Sequence, residues 1–350
     1  MVSAKRQKQP NFVLLFMDDL GYGDLGFTGH PTTETPNLDR LAWNGKILTT
    51  WYSGCNVCSG SRAALMTGRQ FPRTGVPGVF GPTVQGGLNL NETTIAEQLK
   101  KVGYTTAMIG KWHLGNRQVY LPANRGFDYY LGIPYSDDMG DGTSSSCRAD
   151  TRQDSSTRDN QDGQVYGWSM DHYKNLGLLE ASCQLADACN YADEEDPAGN
   201  FLPLVFQAEN KTFVVEQPLD FTTLAQKYNS FAMDFLDRQG NQPFFLYMPF
   251  SHVHTTSASQ PEKQYAGCDF KASTRRGPFG DALKEADWII GNVVAKLEEK
   301  ELDEDTLVLF TSDNGPWMAM QLSGGSEGIF TGRSAGYWDT GKGSNWVRRN

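Results

Sequence analysis

The chain has 350 residues, 39 % apolar and 21 % charged, which is the make-up of a globular rather than a disordered protein. That length accommodates one large domain or two ordinary ones with a sizeable core. A formal net charge of −10 argues against a nucleic-acid-binding protein, whose footprint is basic, but leaves room for a local basic pocket for a small anion. No apolar run approaches the roughly 20 residues needed to cross a bilayer, so no membrane span is expected.

Met1 to Pro10 is a basic and polar N-terminal segment. Phe12-Val13-Leu14-Leu15-Phe16 is shorter than a signal-peptide apolar region and reads as a strand buried on both faces. It stops at Asp18-Asp19. Thr35-Pro36 then sets the start of a helix, with Thr35 as the cap, Pro36 at the first position, and Leu38 and Leu41 on the buried face. Thr93 or Thr94 caps a second helix that carries Ile95, Ala96 and Leu99 and ends at Gly103. Thr105 to Ile109 reads as a strand leading into Gly110-Lys111-Trp112-His113. Asp137 to Gly163, rich in Asp, Ser, Thr and Gly, reads as a polar surface insertion without a packed core of its own. Further on come a helix near Leu224 to Leu236, a strand at Phe244 to Met248 ending near His252 and His254, and a long helix from about Asp281 to Lys300. A buried strand at Thr306 to Phe310 then ends at Asp313-Asn314.

Strands alternating with helices predict an α/β sheet, in which ligands gather beyond the carboxyl ends of the strands. Four expected strands end in polar clusters: Asp18 and Asp19, Lys111 and His113, His252 and His254, Asp313 and Asn314. One such cluster carries little weight, whereas four on separate strands point to one assembled site. The acidic pairs and Asn314 are hard oxygen ligands, suited to Ca²⁺ or Mg²⁺ rather than zinc, although each pair alone also reads as a turn. Cys58-Ser59-Gly60-Ser61-Arg62 precedes a helical stretch, which places Cys58 at a helix N-terminus where backbone N–H groups favour an anion. A thiolate nucleophile there, a redox pair with Cys55 and a Cys55–Cys58 disulfide all remain open on spacing alone. A zinc site is disfavoured, because no second Cys-x-x-Cys exists. His30 and His172 read as a loop residue and an insertion residue.

The six cysteines include Cys147, Cys183 and Cys189 in or beside a polar stretch, which suits a disulfide in an oxidising compartment. The glycosylation acceptors Asn91-Glu92-Thr93 and Asn210-Lys211-Thr212 also fit a secretory route.

Several of these segments, in this order, resemble the sulfatases. Asn11 to Asp24 resembles their opening strand and metal loop, and Thr35-Pro36-Asn37-Leu38-Asp39 their next helix. Cys58-Ser59-Gly60-Ser61-Arg62 with Ala64-Leu65-Met66-Thr67-Gly68-Arg69 resembles the signature Cys-x-Pro-x-Arg and its helix. Gly110-Lys111-Trp112-His113-Leu114-Gly115 resembles the second signature. Gly132-Ile133-Pro134-Tyr135-Ser136, Arg276-Gly277-Pro278-Phe279-Gly280-Asp281 and Asp313-Asn314-Gly315-Pro316 resemble the arylsulfatase A-like branch. The likeness runs over 11–346, read as the catalytic domain.

The resemblance implies an alkaline-phosphatase-like α/β fold, with a large, mixed, mostly parallel central sheet flanked by helices on both faces. It implies that a separate formylglycine-generating enzyme oxidises Cys58 to formylglycine, whose hydrated aldehyde attacks sulfur and later expels sulfate. Asp18, Asp19, Asp313, Asn314 and the modified Cys58 would hold Ca²⁺, with Mg²⁺ as the alternative. Arg62 would steady the nucleophile, Lys111 and Lys342 would bind sulfate oxygens, and Ser136 would assist around the nucleophile. His113 would help deprotonate the hemiacetal, and His254, rather than His252, would protonate the leaving oxygen. Substrates would be sulfated sugars, sulfolipids or aryl sulfates, and the setting lysosomal or extracellular.

The chain departs from the pattern twice. Gly60 stands where the signature carries Pro or Ala, and a glycine there loosens the peptide that the modifying enzyme reads. After Gly341-Lys342-Gly343-Ser344-Asn345-Trp346 the residues 347–350 form an atypical ending, so the small C-terminal sheet of the family is expected to be absent. Two rival functions follow. A catalytically inactive, sulfatase-like binding or matrix protein would keep the fold with an unmodified Cys58. A phosphoester hydrolase would carry Thr or Ser in place of Cys58 and more metal ligands.

Overall fold

The computed structural model describes residues 9–76, 78–144, 147, 169–176, 201–209, 211–257, 262–330 and 346–349. Its strands are β1 (Asn11–Met17), β2 (Lys46–Leu48), β3 (Thr105–Ile109), β4 (Tyr129–Gly132), β5 (Leu204–Ala208), β6 (Lys211–Glu216), β7 (Phe244–Pro249), β8 (Thr306–Ser312) and β9 (Trp346–Arg349). They form one nine-stranded sheet in the order β2-β9-β8-β1-β7-β3-β4-β5-β6. The central five, β8-β1-β7-β3-β4, run parallel, and antiparallel strands continue the sheet on both sides. The expected mixed, mostly parallel α/β sheet is therefore present. β1 and β7 are buried along nearly their whole length, which explains their unbroken apolar sequences: a strand covered on both faces has no solvent face to alternate with.

The helices are α1 (Pro36–Trp43), α2 (Cys58–Thr67), α3 (Ile95–Lys101), α4 (Met170–Leu176), α5 (Phe221–Asp237) and α6 (Pro278–Glu299). α5 and α6 pack together and α1 packs on α6, while α2 contacts α3. Against the sheet lies an aromatic stack in which Phe127 faces Phe245 and Tyr247 at ring separations of 6.0 and 6.2 Å. Each large apolar side chain buried in this way contributes roughly 1.5–3 kcal/mol.

Thr94 rather than Thr93 caps α3, and the expected cap of α1 is corrected. α3 carries the full capping box: Thr94 Oγ1 accepts from Glu97 N at 3.1 Å, and Glu97 Oε2 accepts from Thr94 N at 3.0 Å. α1 does start at Pro36, but the side chain of Thr35 does not cap it. Asp287 of α6 does so instead, accepting from Leu38 N at 2.8 Å and from Asn37 N at 3.1 Å. A carboxylate from a neighbouring helix satisfies the free N–H groups and the positive end of the helix dipole better than a hydroxyl does. Thr35 turns its hydroxyl to Asp39 and Gly26.

Cys147 is bonded to Cys268, 121 residues away; Cys183 and Cys189 lie outside the described residues. Asn91 is exposed, as a glycosylation acceptor must be, and Asn210 is outside the described residues. The polar stretch after Ser136 does not begin as surface. Asp137 is fully buried, and Asp141 and Thr143 make isolated bridges to Phe201 and Asp220. Residues 145–163, apart from Cys147, lie outside the described residues. Among the described residues no helix is long and apolar enough to cross a membrane.

Candidate active site

The four strands that end in polar clusters are neighbours, β8-β1-β7-β3, and all are parallel, so their carboxyl ends meet at one edge. Backbone bonds continue the ladder beyond the strands and lock the loops. Asp18 N donates to His252 O, Val253 N to Asp18 O, Lys111 N to Pro249 O and Asp313 N to Met17 O, at 2.7–3.0 Å. Close approach at this edge needs glycine. A Cβ on Gly132 would lie 1.8 Å from Gly110 O, and one on Gly110, where φ is +129°, would lie 1.9 Å from Pro249 O. Asp19 and His113 adopt positive φ, 54° and 59°, a conformation that costs non-glycine residues energy and collects at functional sites.

Cys58 opens α2 as expected, buried and free, so the Cys55–Cys58 disulfide is absent. Its Sγ lies 3.6 Å from Asp18 Oδ1 and 3.5 Å from Lys111 Nζ. Burial pushes the Cys58 thiol up to about 12 despite Lys111, so at neutral pH it stays protonated and is a poor nucleophile. Arg62, one turn further along α2, clamps Asp313 with two bonds to Oδ2 at 3.0 and 2.8 Å and reaches Asp18 Oδ1 at 3.4 Å. Lys111 Nζ bonds Asp18 Oδ2 at 2.5 Å and Ser136 Oγ at 2.9 Å. Burial alone would discharge these groups. Arg62 and Lys111 overcome it, holding Asp18 well below the usual carboxylate range, and Asp18 in turn raises Lys111.

The oxygen cluster closes on Asn314, whose Nδ2 donates to Asp19 Oδ1 at 2.5 Å, and on Asp313 Oδ1, which accepts from Asp19 N at 3.2 Å and Asn314 N at 2.7 Å. Burial raises Asp19, and raises Asp313 to about 7. Asp19 Oδ2 and Asn314 Oδ1 are buried without a hydrogen-bond partner. Orphaned oxygens beside further carboxylates fit a hard divalent cation, which would satisfy both. Asp18, Asp19, Cys58 and His254 each offer a ligand atom within 4.8 Å of the others.

The two histidines that follow β7 face different surroundings. His252 Nε2 is 3.2 Å from Glu285 Oε2 and its Nδ1 is 3.4 Å from Tyr265 OH, so it is committed to the interior. His254 Nε2 faces Asp19 Oδ2 at 3.5 Å, and its Nδ1 lies 2.7 Å from Thr255 O and 3.4 Å from Asp137 Oδ1. Burial disfavours its charge, but Asp19 and Asp18 outweigh that and raise His254 well above the ordinary imidazole value. His113 goes the other way: burial, then Lys111 and Arg62, push it well below that value, and neither ring nitrogen has a hydrogen-bond partner. The surroundings thus favour the protonated form of His254 and the neutral form of His113. Lys342 lies outside the described residues.

Asp137 and Asp138 were missed as site residues. A signal existed, since they directly follow Ser136 and the short strand β4, a fifth parallel strand ending at the same edge. Together with His254 they form a second group of possible metal-ligating atoms. Burial raises Asp137 to about 8, although His254 beside it lowers it.

The carboxyl edge of a parallel α/β sheet thus gathers a buried cysteine, two buried cations and an oxygen cluster. The family model for Sulfatase matches residues 10–342, and the chain belongs to the sulfatase family. It is 38 % identical to Arylsulfatase G of Canis lupus familiaris over 97 % of this chain and 56 % of that protein. It is 37 % identical to Arylsulfatase A of Homo sapiens over 92 % of this chain and 55 % of that one. The chain thus spans little more than half the length of these relatives. Among solved structures, the PsFucS1 sulfatase from Pseudoalteromonas sp. superposes with a TM-score of 0.71 at 27 % identity, covering 97 % of this chain and 62 % of that one.

Proposed function

We propose that this chain carries the catalytic site of a sulfuric ester hydrolase of the arylsulfatase type. The observation that carries the reading is the meeting, at one sheet edge, of Asp18, Lys111, His254 and Arg62 around Cys58. Asp18, Asp19, Asp313 and Asn314 would hold Ca²⁺, or Mg²⁺, which would draw negative charge off the sulfate oxygens. Cys58, once oxidised to formylglycine by a formylglycine-generating enzyme, would supply a hydrated aldehyde as nucleophile. The buried thiol itself is unsuited to that role. Lys111, with Lys342, binds sulfate oxygens in a site closed to water. Arg62 fixes Asp313 and Asp18, and Ser136 orients the Lys111 ammonium. His254 gives the proton from Nε2 to the leaving oxygen, and neutral His113 takes one up.

The substrate class is a sulfated sugar, sulfolipid or aryl sulfate. The disulfide Cys147–Cys268 supports a secretory route to a lysosomal or extracellular setting. The test is co-expression with a formylglycine-generating enzyme, mass spectrometry of the peptide Ile47 to Arg62, and turnover of an aryl sulfate. Aldehyde at Cys58 with turnover that disappears in Cys58→Ala supports the reading, and an aldehyde without turnover refutes it. Gly60 favours one second reading, in which Cys58 keeps its thiol and the fold serves binding. A persistent thiol with retained affinity for a sulfated sugar would establish that reading.

A further inference from the structure

Asp137 has no part in the reaction proposed above, yet it is fully buried and neither carboxylate oxygen has a hydrogen-bond partner. Other buried carboxylates outside the cation cluster are anchored by backbone N–H groups. Asp24 accepts from Gly21, Asp281 from Ala272, Ser273 and Thr274, Glu285 from Gly267, and Asp287 from Asn37 and Leu38. Asp137 therefore caps nothing and braces no loop. A carboxylate removed from water without a compensating group costs several kcal/mol. The group it meets is His254, with Oδ1 3.4 Å from Nδ1.

The same Nδ1 lies 2.7 Å from the Thr255 carbonyl oxygen. A carbonyl oxygen only accepts, so Nδ1 carries a hydrogen, and the remaining nitrogen, Nε2, faces the cluster beside Asp19. We propose that Asp137 is a positioning residue for His254. With the Thr255 carbonyl it holds the hydrogen on Nδ1 and aims Nε2 at the leaving-group oxygen. When the ring acts as acid, the Nε2–H bond breaks and an O–H bond forms on the leaving alcohol or phenol. The electron pair of that N–H bond stays on Nε2, and the Nδ1 hydrogen is kept. The inference rests on the reading of His254 as the proton donor.

Two readouts separate its failure from the failure of that reading. The first needs no turnover: proton NMR of the Nδ1–H of His254 in the intact chain with its Cys58 thiol. The chain has five histidines, and His254→Gln assigns the signal. A downfield, hydrogen-bonded resonance is expected. It should be lost or moved upfield in Asp137→Ala and recovered in Asp137→Asn, whose amide oxygen still accepts. Asp137→Ser, too short to reach, gives the same reading should the alanine variant not fold. A signal unmoved by Asp137→Ala and Asp137→Ser overturns the proposal, since Thr255 alone would then hold the ring.

The second readout uses the modified enzyme and two substrates. An alkyl or sugar sulfate needs its leaving oxygen protonated, whereas 4-nitrophenyl sulfate scarcely does. Asp137→Ala should lower kcat by about 10- to 100-fold on the first, a part of what general acid catalysis supplies, and by less than about threefold on the second. Equal losses on both overturn the positioning role. If the wild type turns over neither substrate while the Nδ1–H signal behaves as expected, the proposed function fails and the contact between Asp137 and His254 stands.

Discussion

Gly60 to alanine should destabilise the protein, against the usual direction for a helical glycine. A Cβ built on Gly60 lies 2.7 Å from Cys55 Sγ, 3.1 Å from Cys55 Cβ and 3.0 Å from Phe71 Cδ2. Relaxed carbon contacts are about 3.5–4.0 Å, so at least one neighbour must shift. Such overpacking costs roughly 1–3 kcal/mol, and the helix preference of alanine returns at most about 1 kcal/mol. The net expectation for Gly60→Ala is about 1–2 kcal/mol lost. Proline at this position has a Cβ in the same place, so restoring the residue common in the signature meets the same thiol. Cys55→Ala removes Sγ and should relieve most of the clash. Gly60→Ala in the Cys55→Ala background should therefore cost less than in the wild type, with a coupling of roughly 1–2 kcal/mol between these contacting residues. Urea unfolding of the four proteins measures the cycle. A Gly60→Ala variant as stable as the wild type, or costs that simply add, would refute the argument that Cys55 excludes a side chain at position 60.

Three further outcomes are expected. Chelation of divalent cations should lower Tm, and Ca²⁺ at about a hundred times its Kd should restore roughly 2.7 kcal/mol; an Asp19→Asn protein that responds as the wild type does would place the ion elsewhere. Asp287 should make stability depend on pH. Burial raises it from 3.8 to about 6 even with the helix α1 N–H groups bonded to it, so its contribution is complete below about pH 4 and is lost as pH rises through 6. The stability of Asp287→Asn relative to the wild type should thus improve between pH 4 and pH 7, and parallel pH curves would contradict the shift. Reduction of Cys147–Cys268, or Cys268→Ala, should cost about 4–5 kcal/mol on the chain-entropy account of a 121-residue separation, read as a fall in the midpoint of urea unfolding.

Much of the frame was legible because its signals are local. Strands β1, β3, β7 and β8 are apolar runs that end at charged residues, and a run without alternation already says that both faces are covered. Thr93 or Thr94 and the Thr35-Pro36 pair mark helix starts to within a residue or two. Pairing is another matter. That β8, β1, β7 and β3 lie side by side depends on backbone bonds between residues hundreds of positions apart, and only that order turns four scattered polar clusters into one site. The cap of α1 moved from Thr35 to Asp287 because a residue 250 positions away competes for the same N–H groups. Asp137 reads as polar surface in a segment of Asp, Ser and Gly, and becomes a buried neighbour of His254 only when the end of β4 folds in beside β3. Sequence by itself determined which residues carry charge, which runs are buried and where the chain turns. The tertiary structure decided which of those charges share a low-dielectric space, and burial and proximity there give Asp18, His113 and His254 their opposed proton affinities.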